Sequence, residues 1–311
     1  MARRILLVNP TYGGASGSGR HVQLLSRGLK EEGFDVDQVS ISNTWYINLP
    51  MMRSASFLLG SFVRDFSDYD LVHLHNPKLS PLTLRHERMI LTVHGGLMEL
   101  SHKYGRLGEA LIKPLRYMMN RASAITSVML WEARRNGWIW IPNMIDLDAI
   151  EKVPPEADER VLFVGRNDRV KNYPLFKRLV QAIGEPYKAF GVEEVAPWER
   201  VISYMKSAKC LFITSLWEGM PTSMLEAWAC KCPVIAADIE AFRPFRDAVV
   251  TAEPNLTTML TAYRQLDSVK EAIVKRGLEY VKEFDYRVVT RKYARLYESV
   301  LSSAVAEGTS T

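Results

Sequence analysis

The chain has 311 residues, 47% of them hydrophobic and 24% charged, and a formal net charge of +5. That length suits two domains of ordinary size, and that apolar content excludes a chain disordered throughout. No apolar run reaches a membrane span, because Arg53 interrupts the nearest one, Leu49 to Val63.

Cys210, Cys230 and Cys232 crowd into one stretch with no second pair to complete a zinc site. They read as buried free thiols in a reducing compartment. Met1–Arg4 leads straight into an apolar strand, without a signal-peptide pattern. A cytoplasmic protein is therefore expected.

In chain order, Ile5–Val8 is the first strand. Asn9–Gly19 is a glycine-rich loop, and Arg20–Glu32 is a helix with Val22, Leu24, Leu25 and Leu29 apolar, ended by Gly33. A glycine loop after a first strand is a general nucleotide signal, though its spacing is not the dinucleotide fingerprint. A flexible turn is the alternative. Phe34–Val39 is the second strand, and alternation puts Asp35 and Asp37 on its solvent face, which argues against a metal pair. Leu49–Phe66 reads as an amphipathic helix whose Phe57, Leu58, Leu59, Phe62 and Val63 are either core or a surface for a membrane or acceptor.

Leu71–His75 is a strand with His73 and His75 on one face, read as hydrogen-bonded histidines in preference to metal ligands. Ile90–Val93 is another, followed by His94, Gly95 and Gly96. Lys103–Arg121 reads as a helix, with Pro114 a point for a kink. Ala124–Val128 is a strand, and Leu130–Asn136 a helix closed by Gly137. The charge excess is N-terminal: before residue 151 there are 17 Lys and Arg against 13 Asp and Glu, with many of the bases between Lys103 and Arg135. No nucleic-acid motif accompanies them, so an anionic membrane surface is the expected partner of that charge.

Glu151–Arg160, acidic and proline-bearing, reads as a linker. Val161–Val164 is a strand, followed by Gly165-Arg166 and, in the same loop, Lys171-Asn172. The helix Pro174–Ile183, the strand Tyr187–Val192 and the helix Pro197–Ala208 come next. Leu211–Thr214 is an apolar strand, Ser215–Gly219 a polar break, and a helix begins near Pro221 with Thr222 and Ser223 beside it. The strand Pro233–Ala237 completes a βαβ unit. Its crossover puts residues 215–222 at the carboxyl end of a parallel sheet, where open α/β sheets bind ligands. The free N–H groups of the helix start favour a phosphate there. Glu218 stands in the loop and Glu226 about one turn inside the helix. The alternative is a solvated loop acid and a surface helix residue.

Glu218-Gly219-Met220-Pro221-Thr222-Ser223-Met224-Leu225-Glu226 and its continuation to Ala236 resemble the Glu-x7-Glu signature of retaining glycosyltransferases with the GT-B fold, family 4 above all. Gly165-Arg166 with Lys171 resembles the family's Gly-Arg-x4-Lys, Asn172 standing for its last glycine. Ile141–Asp146 resembles the Ile-Pro-Asn-Gly-Val-Asp exit from the first domain, with Met144 for the glycine. Lys231 also replaces a family glycine, the one that closes the helix. Only one βα unit is legible between residues 184 and 209 where the family has two, so the second domain reads as shortened.

The resemblance implies an α/β protein of two Rossmann-like domains facing across a cleft. Residues 1–147 would form the acceptor domain and 148–285 the nucleotide-sugar domain. Residues 286–304 would form a helix crossing back to the first, and 305–311 a flexible tail. It implies a retaining, metal-independent transfer of a sugar from a UDP- or GDP-linked donor to a hydroxyl of a glycan, lipid or small molecule, with no cofactor. In these roles Glu226 holds the ribose. Gly165, Arg166, Lys171 and the backbone around Gly219, Met220 and Thr222 hold the diphosphate. Glu218 and His94 orient the sugar, and Gly13 and Gly14 let the backbone approach. The rival readings are a sugar-nucleotide epimerase or phosphorylase on the same fold, and a catalytically silent binding module.

Overall fold

The structure is a computed structural model, and it describes residues 2–308 apart from 15, 50, 51, 96–104 and 157. The chain divides into two compact units. Met1–Asn143 with Tyr286–Thr311 form the first, and Met144–Asp285 the second.

The first unit holds six strands: β1 (Arg4–Val8), β2 (Asp35–Val39), β3 (Leu71–Leu74), β4 (Met89–Val93), β5 (Ala124–Ser127) and β6 (Ile139–Trp140). All pair in parallel, in the order β2-β1-β3-β4-β5-β6. The central strands are buried along their whole length, so they read as unbroken apolar runs rather than alternating ones. Its helices are α1 (Gly17–Glu31), α2 (Arg53–Phe62), α3 (Arg106–Met119) and α4 (Leu130–Asn136). The helix Tyr286–Gly308 packs on α1, where Gly28 lets Thr290 come against its backbone and the Tyr286 hydroxyl donates to the Glu31 carboxylate at 3.0 Å.

The first helix starts at Gly17, three residues before the position read from apolar periodicity. Ser16 caps it by accepting from the Gly19 N–H at 3.4 Å, and Gly19 lies so close to the Gly13 carbonyl that a larger residue would collide. The glycines at 17 and 19 thus belong to the helix, and the loop proper is shorter. On the edge strand β2, Asp35 and Asp37 are solvent-facing and lie 3.5 and 3.6 Å from the Arg4 guanidinium. Phe57 and Phe66 are core residues, whereas Leu59 and Val63 are exposed. No described helix is long and apolar enough to cross a membrane. The expected helix start at Lys103, and Gly96, lie outside the described residues.

The second unit opens with α5 (Leu147–Lys152), capped by Asp146, so the acidic stretch from residue 151 lies inside this unit. Its strands are β7 (Val161–Val164), β8 (Tyr187–Phe190), β9 (Cys210–Ile213), β10 (Val234–Ala237) and β11 (Val250–Ala252). They form a parallel sheet in the order β11-β10-β9-β7-β8. The helices are α6 (Tyr173–Ile183), α7 (Trp198–Ser207), α8 (Thr222–Ala229), α9 (Leu256–Arg264) and α10 (Leu266–Val281). The short β11 escaped periodicity because only three half-buried residues compose it.

Two residues that stand for glycine in the resemblance adopt the left-handed conformation, Asn172 at φ 51° and Lys231 at φ 58°. The backbone path is therefore the one a glycine would take. Asn tolerates that region, whereas Lys there costs about 1–2 kcal/mol. Burial of α8 outweighs that cost. Its Trp228 is 2% exposed, packs on Gly277 of α10, and donates its Nε1–H to the Ala248 carbonyl at 3.1 Å. All three cysteines are free and buried, and burial pushes their thiols up.

Candidate functional site

In the second sheet the chain goes from β7 to β8 on one side, then returns to β9 on the other. The order therefore reverses between β7 and β9, and loops leaving their carboxyl ends diverge around a crevice. The loop after β7 carries Gly165, Arg166 and Lys171. The loop after β9 carries Ser215, Glu218, Gly219 and Met220. Because the strands are neighbours, the loops bond to each other: the Leu216 N–H donates to the Val170 carbonyl at 2.8 Å, and the Thr214 hydroxyl to the Lys171 carbonyl at 3.0 Å.

This brings Lys171 and Glu218 together across 47 residues of sequence. The Lys171 ammonium donates to Glu218 Oε1 at 2.6 Å, and the Ser215 hydroxyl donates to the same oxygen at 2.5 Å. The side chains are 19% and 10% exposed, so the pair is largely withdrawn from water. Removing one member of such a pair strands the other. Gly165 gives the Lys171 stem room to pass, since a Cβ there would stand 3.3 Å from Lys171 Cδ. Asp168 orders the same loop, accepting from the Lys171 N–H at 3.0 Å and pairing with Arg166 at 3.2 Å. Arg166 itself is 80% exposed. The arrangement offers one exposed cation and one largely buried cation–carboxylate pair at a crevice mouth.

Glu226 is on α8, and it is buried rather than on the helix surface. The indole Nε1–H of Trp198, at the start of α7, donates to its Oε1 at 2.8 Å. Pro221 is the N-cap of α8, and no side chain caps that helix, so Glu218 is not a capping residue. Thr222 is half-buried at the first helical position.

The first unit repeats the reversal between β1 and β3. Gly13 and Gly14, at φ 66° and 68°, turn the chain after β1. The Gly13 N–H donates to the Gly19 carbonyl at 2.8 Å, whereas a Cβ on Gly14 would meet nothing, so the open approach to the backbone is at Gly14. His75 follows β3 and His94 follows β4, while His21 comes up from α1. His75 Nδ1 and His94 Nε2 are 3.2 Å apart, and the His21 and His94 rings meet edge-on at 4.6 Å. One ligand nitrogen from each of the three falls within 4.8 Å of the others. His73 lies beneath them, its Nδ1 on the Tyr297 hydroxyl at 2.6 Å and its Nε2 on the Thr92 hydroxyl at 2.7 Å.

Burial pulls the pKa of His21, His73 and His75 well down, with neighbouring imidazoles adding to it. His94 keeps part of its surface exposed, yet its ring is desolvated enough to bring it to about 4, Asn143 opposing weakly. All four rings are neutral at pH 7, which suits His94 for a sugar hydroxyl and suits His21, His75 and His94 for a metal ion. The sequence reading missed three residues. His21 carries a signal in retrospect, a histidine on the buried face of the helix after the glycine loop. Trp198 carries none, because only the fold brings it to Glu226, whereas Ser215 stands three positions before Glu218 in the same loop and read only as part of a polar break.

Comparison with known proteins agrees with this architecture. Residues 144–275 match the family model "Glycosyl transferases group 1". Phosphatidyl-myo-inositol mannosyltransferase of Mycobacterium leprae is 24% identical over 283 residues, covering 76% of this chain and 75% of its own. The same enzyme from Mycobacterium tuberculosis is 24% identical over 288 residues, with 76% and 75% covered. Among solved structures, sucrose-phosphate synthase from Thermosynechococcus elongatus superposes with a TM-score of 0.78 at 15% identity, over 97% of this chain and 100% of its own. Anabaena HepE in complex with UDP and glucose gives 0.70 at 13%, over 96% and 100%. The chain thus has the GT-B fold of these solved structures, is similar to the mycobacterial mannosyltransferases over three quarters of its length, and matches the group 1 glycosyltransferase model over residues 144–275.

Proposed function

We propose that the chain moves a sugar from a nucleoside diphosphate donor to an acceptor hydroxyl, with retention at the anomeric carbon and without a metal ion in the transfer. The observation that carries this reading is the Lys171–Glu218 pair at the β7/β9 reversal, flanked by Arg166 and followed by buried Glu226. Growing negative charge on a departing diphosphate is stabilised by Arg166, by Lys171 and by the N–H groups around Gly219, Met220 and Thr222. Glu226, oriented by Trp198, accepts from the ribose hydroxyls. Glu218 and His94 have the sugar as their partner, and Gly13 and Gly14 admit the donor diphosphate and acceptor to the backbone. In the transfer, the acceptor oxygen bonds to the anomeric carbon as the sugar–phosphate bond breaks. The acceptor proton passes to the departing phosphate oxygen on the same face. The UDP in the HepE complex and the mannosyl transfer to phosphatidyl-myo-inositol in the mycobacterial names support a nucleotide-linked hexose donor and a lipid-linked acceptor.

Incubation with a panel of UDP- and GDP-sugars and product analysis by NMR tests the reaction. Inversion at the anomeric carbon, or a rearranged donor with no acceptor product, overturns it. Calorimetry without metal should show nucleoside diphosphate binding. Arg166→Ala should weaken it about tenfold, the worth of a charge-assisted hydrogen bond near 1.5 kcal/mol. Strict Mg²⁺ dependence or an unchanged affinity counts against the assigned role.

The acceptor side of this reading is peripheral contact with an anionic membrane. Trp45, Leu49, Leu59 and Val63, all in the first unit, are 55–83% exposed. With the basic excess between Lys103 and Arg135 in the same unit, co-sedimentation with anionic vesicles should fall as salt rises. Binding indifferent to lipid charge and salt removes it.

A further inference from the structure

We propose that His21, His75 and His94 form a binding site for one borderline transition-metal ion, Zn²⁺ or Co²⁺ in chemical class, held by three imidazoles. The site lies wholly in the first unit, whereas Arg166, Lys171 and Glu218 belong to the second, and it shares His94 with the sugar contact proposed above.

Two independent observations meet here. The first is spacing. Two imidazole nitrogens bound to one tetrahedral Zn²⁺ at 2.0–2.1 Å stand about 3.3 Å apart. His75 Nδ1 and His94 Nε2 are already at 3.2 Å, and a ligand nitrogen of His21 lies within 4.8 Å of both. The second is unmet hydrogen bonding. Among the described residues both ring nitrogens of His21 are buried and meet no hydrogen-bond criterion, while His75 Nδ1 and His94 Nε2 share one hydrogen bond with each other. Asn143 is the polar side chain beside His21, and its effect on that ring is smaller than that of burial and of the neighbouring imidazoles. A buried polar atom left so costs about 1–3 kcal/mol, and such atoms in a native protein call for an ion or a water.

The donor set chooses among ions. It contains imidazoles and no carboxylate, which disfavours Mg²⁺, Ca²⁺ and Mn²⁺ and suits Zn²⁺, Co²⁺, Ni²⁺ or Cu²⁺. The rings are supported from behind. His73 packs against His75 with its ring tilted by 39° at 3.9 Å between centroids, and is itself fixed by Tyr297 and Thr92. Such outer contacts hold ligand rings in place. His94, the most exposed of the three, leaves the fourth coordination position on the solvent side, as in open three-histidine sites.

Metal-free full-length protein, prepared by dialysis against a chelator, is titrated with Co²⁺ and followed by its visible d–d absorption. One ion per chain should give an intense low-symmetry spectrum, bleached by Zn²⁺ and not by Mg²⁺. His21→Asn should lose the spectrum while keeping its circular dichroism. If that variant fails to fold, His94→Asn, at the more exposed position, takes its place. His86→Asn is the control, since its ring bonds the Tyr69 and Arg88 carbonyls away from the cluster. No absorption in the wild type up to millimolar Co²⁺, or a spectrum that persists in the folded His21 or His94 variant, overturns the proposal. The readout is spectroscopic, so it stands apart from the outcome of any transfer assay.

Discussion

Glu218→Gln should lower turnover by roughly a hundredfold or more while leaving bare nucleotide affinity undiminished. The carboxylate holds Lys171 at 2.6 Å, so it also neutralises one of the cations assigned to the diphosphate. The neutral amide keeps a carbonyl acceptor for Lys171 and Ser215 but gives up the charge. The phosphate end of the crevice then becomes more positive by one unit, which favours a bare nucleotide. What disappears is the fixed negative charge beside the sugar, whose effect is felt as the glycosidic bond breaks and positive charge gathers at the anomeric carbon. Because no side chain caps α8, whose N-cap position is Pro221, loss of a helix cap cannot explain a fall in rate. Melting temperature, nucleotide affinity and turnover measured together decide it. Near-normal turnover removes the proposed role of Glu218. A collapse of both melting temperature and affinity makes the pair structural.

The second large effect is acid destabilisation confined to the first unit. His21, His73, His75 and His94 are neutral when folded because burial opposes the imidazolium. Their folded pKa values lie below the unfolded 6.5, so below that pH the unfolded chain binds more protons than the folded one. Stability is therefore full above about pH 6.5 and falls as pH drops toward 4. His94 alone, at about 4, removes roughly 2 kcal/mol between pH 8 and pH 5. The other three shift in the same direction. All six histidines of the chain precede residue 144. Hydrogen exchange at pH 5 against pH 8 should then show opening around β1, α1, β3 and β4, with β7 to β11 protected alike at both. A melting temperature flat over that range, or loosening spread evenly over both units, contradicts this.

What the sequence determined by itself was everything whose cause is local. The strands are short apolar runs because both faces of a parallel sheet are covered, and that pattern survives in one dimension. The strand–loop–helix–strand stretch from Leu211 to Ala237 is contiguous, so Glu218 and Glu226 could be placed on a loop and on a helix by counting. The left-handed turns at Asn172 and Lys231 were signalled by the glycines they replace. Even so, apolar periodicity put the start of α1 three residues late, because Ser16 capping rather than an apolar stripe begins that helix.

Only the tertiary structure decided who meets whom. The strand order β11-β10-β9-β7-β8 sets β7 beside β9, and that adjacency alone brings Lys171 to Glu218. Trp198 reaches Glu226 from another helix, 28 positions away. The three histidines come from the segments that follow β1, β3 and β4, joined only because those strands are neighbours in the sheet. Strand order is settled by how whole sheets pack and bury their edges. It leaves no periodic mark within any one strand, so contacts that depend on it stay invisible until the chain is folded.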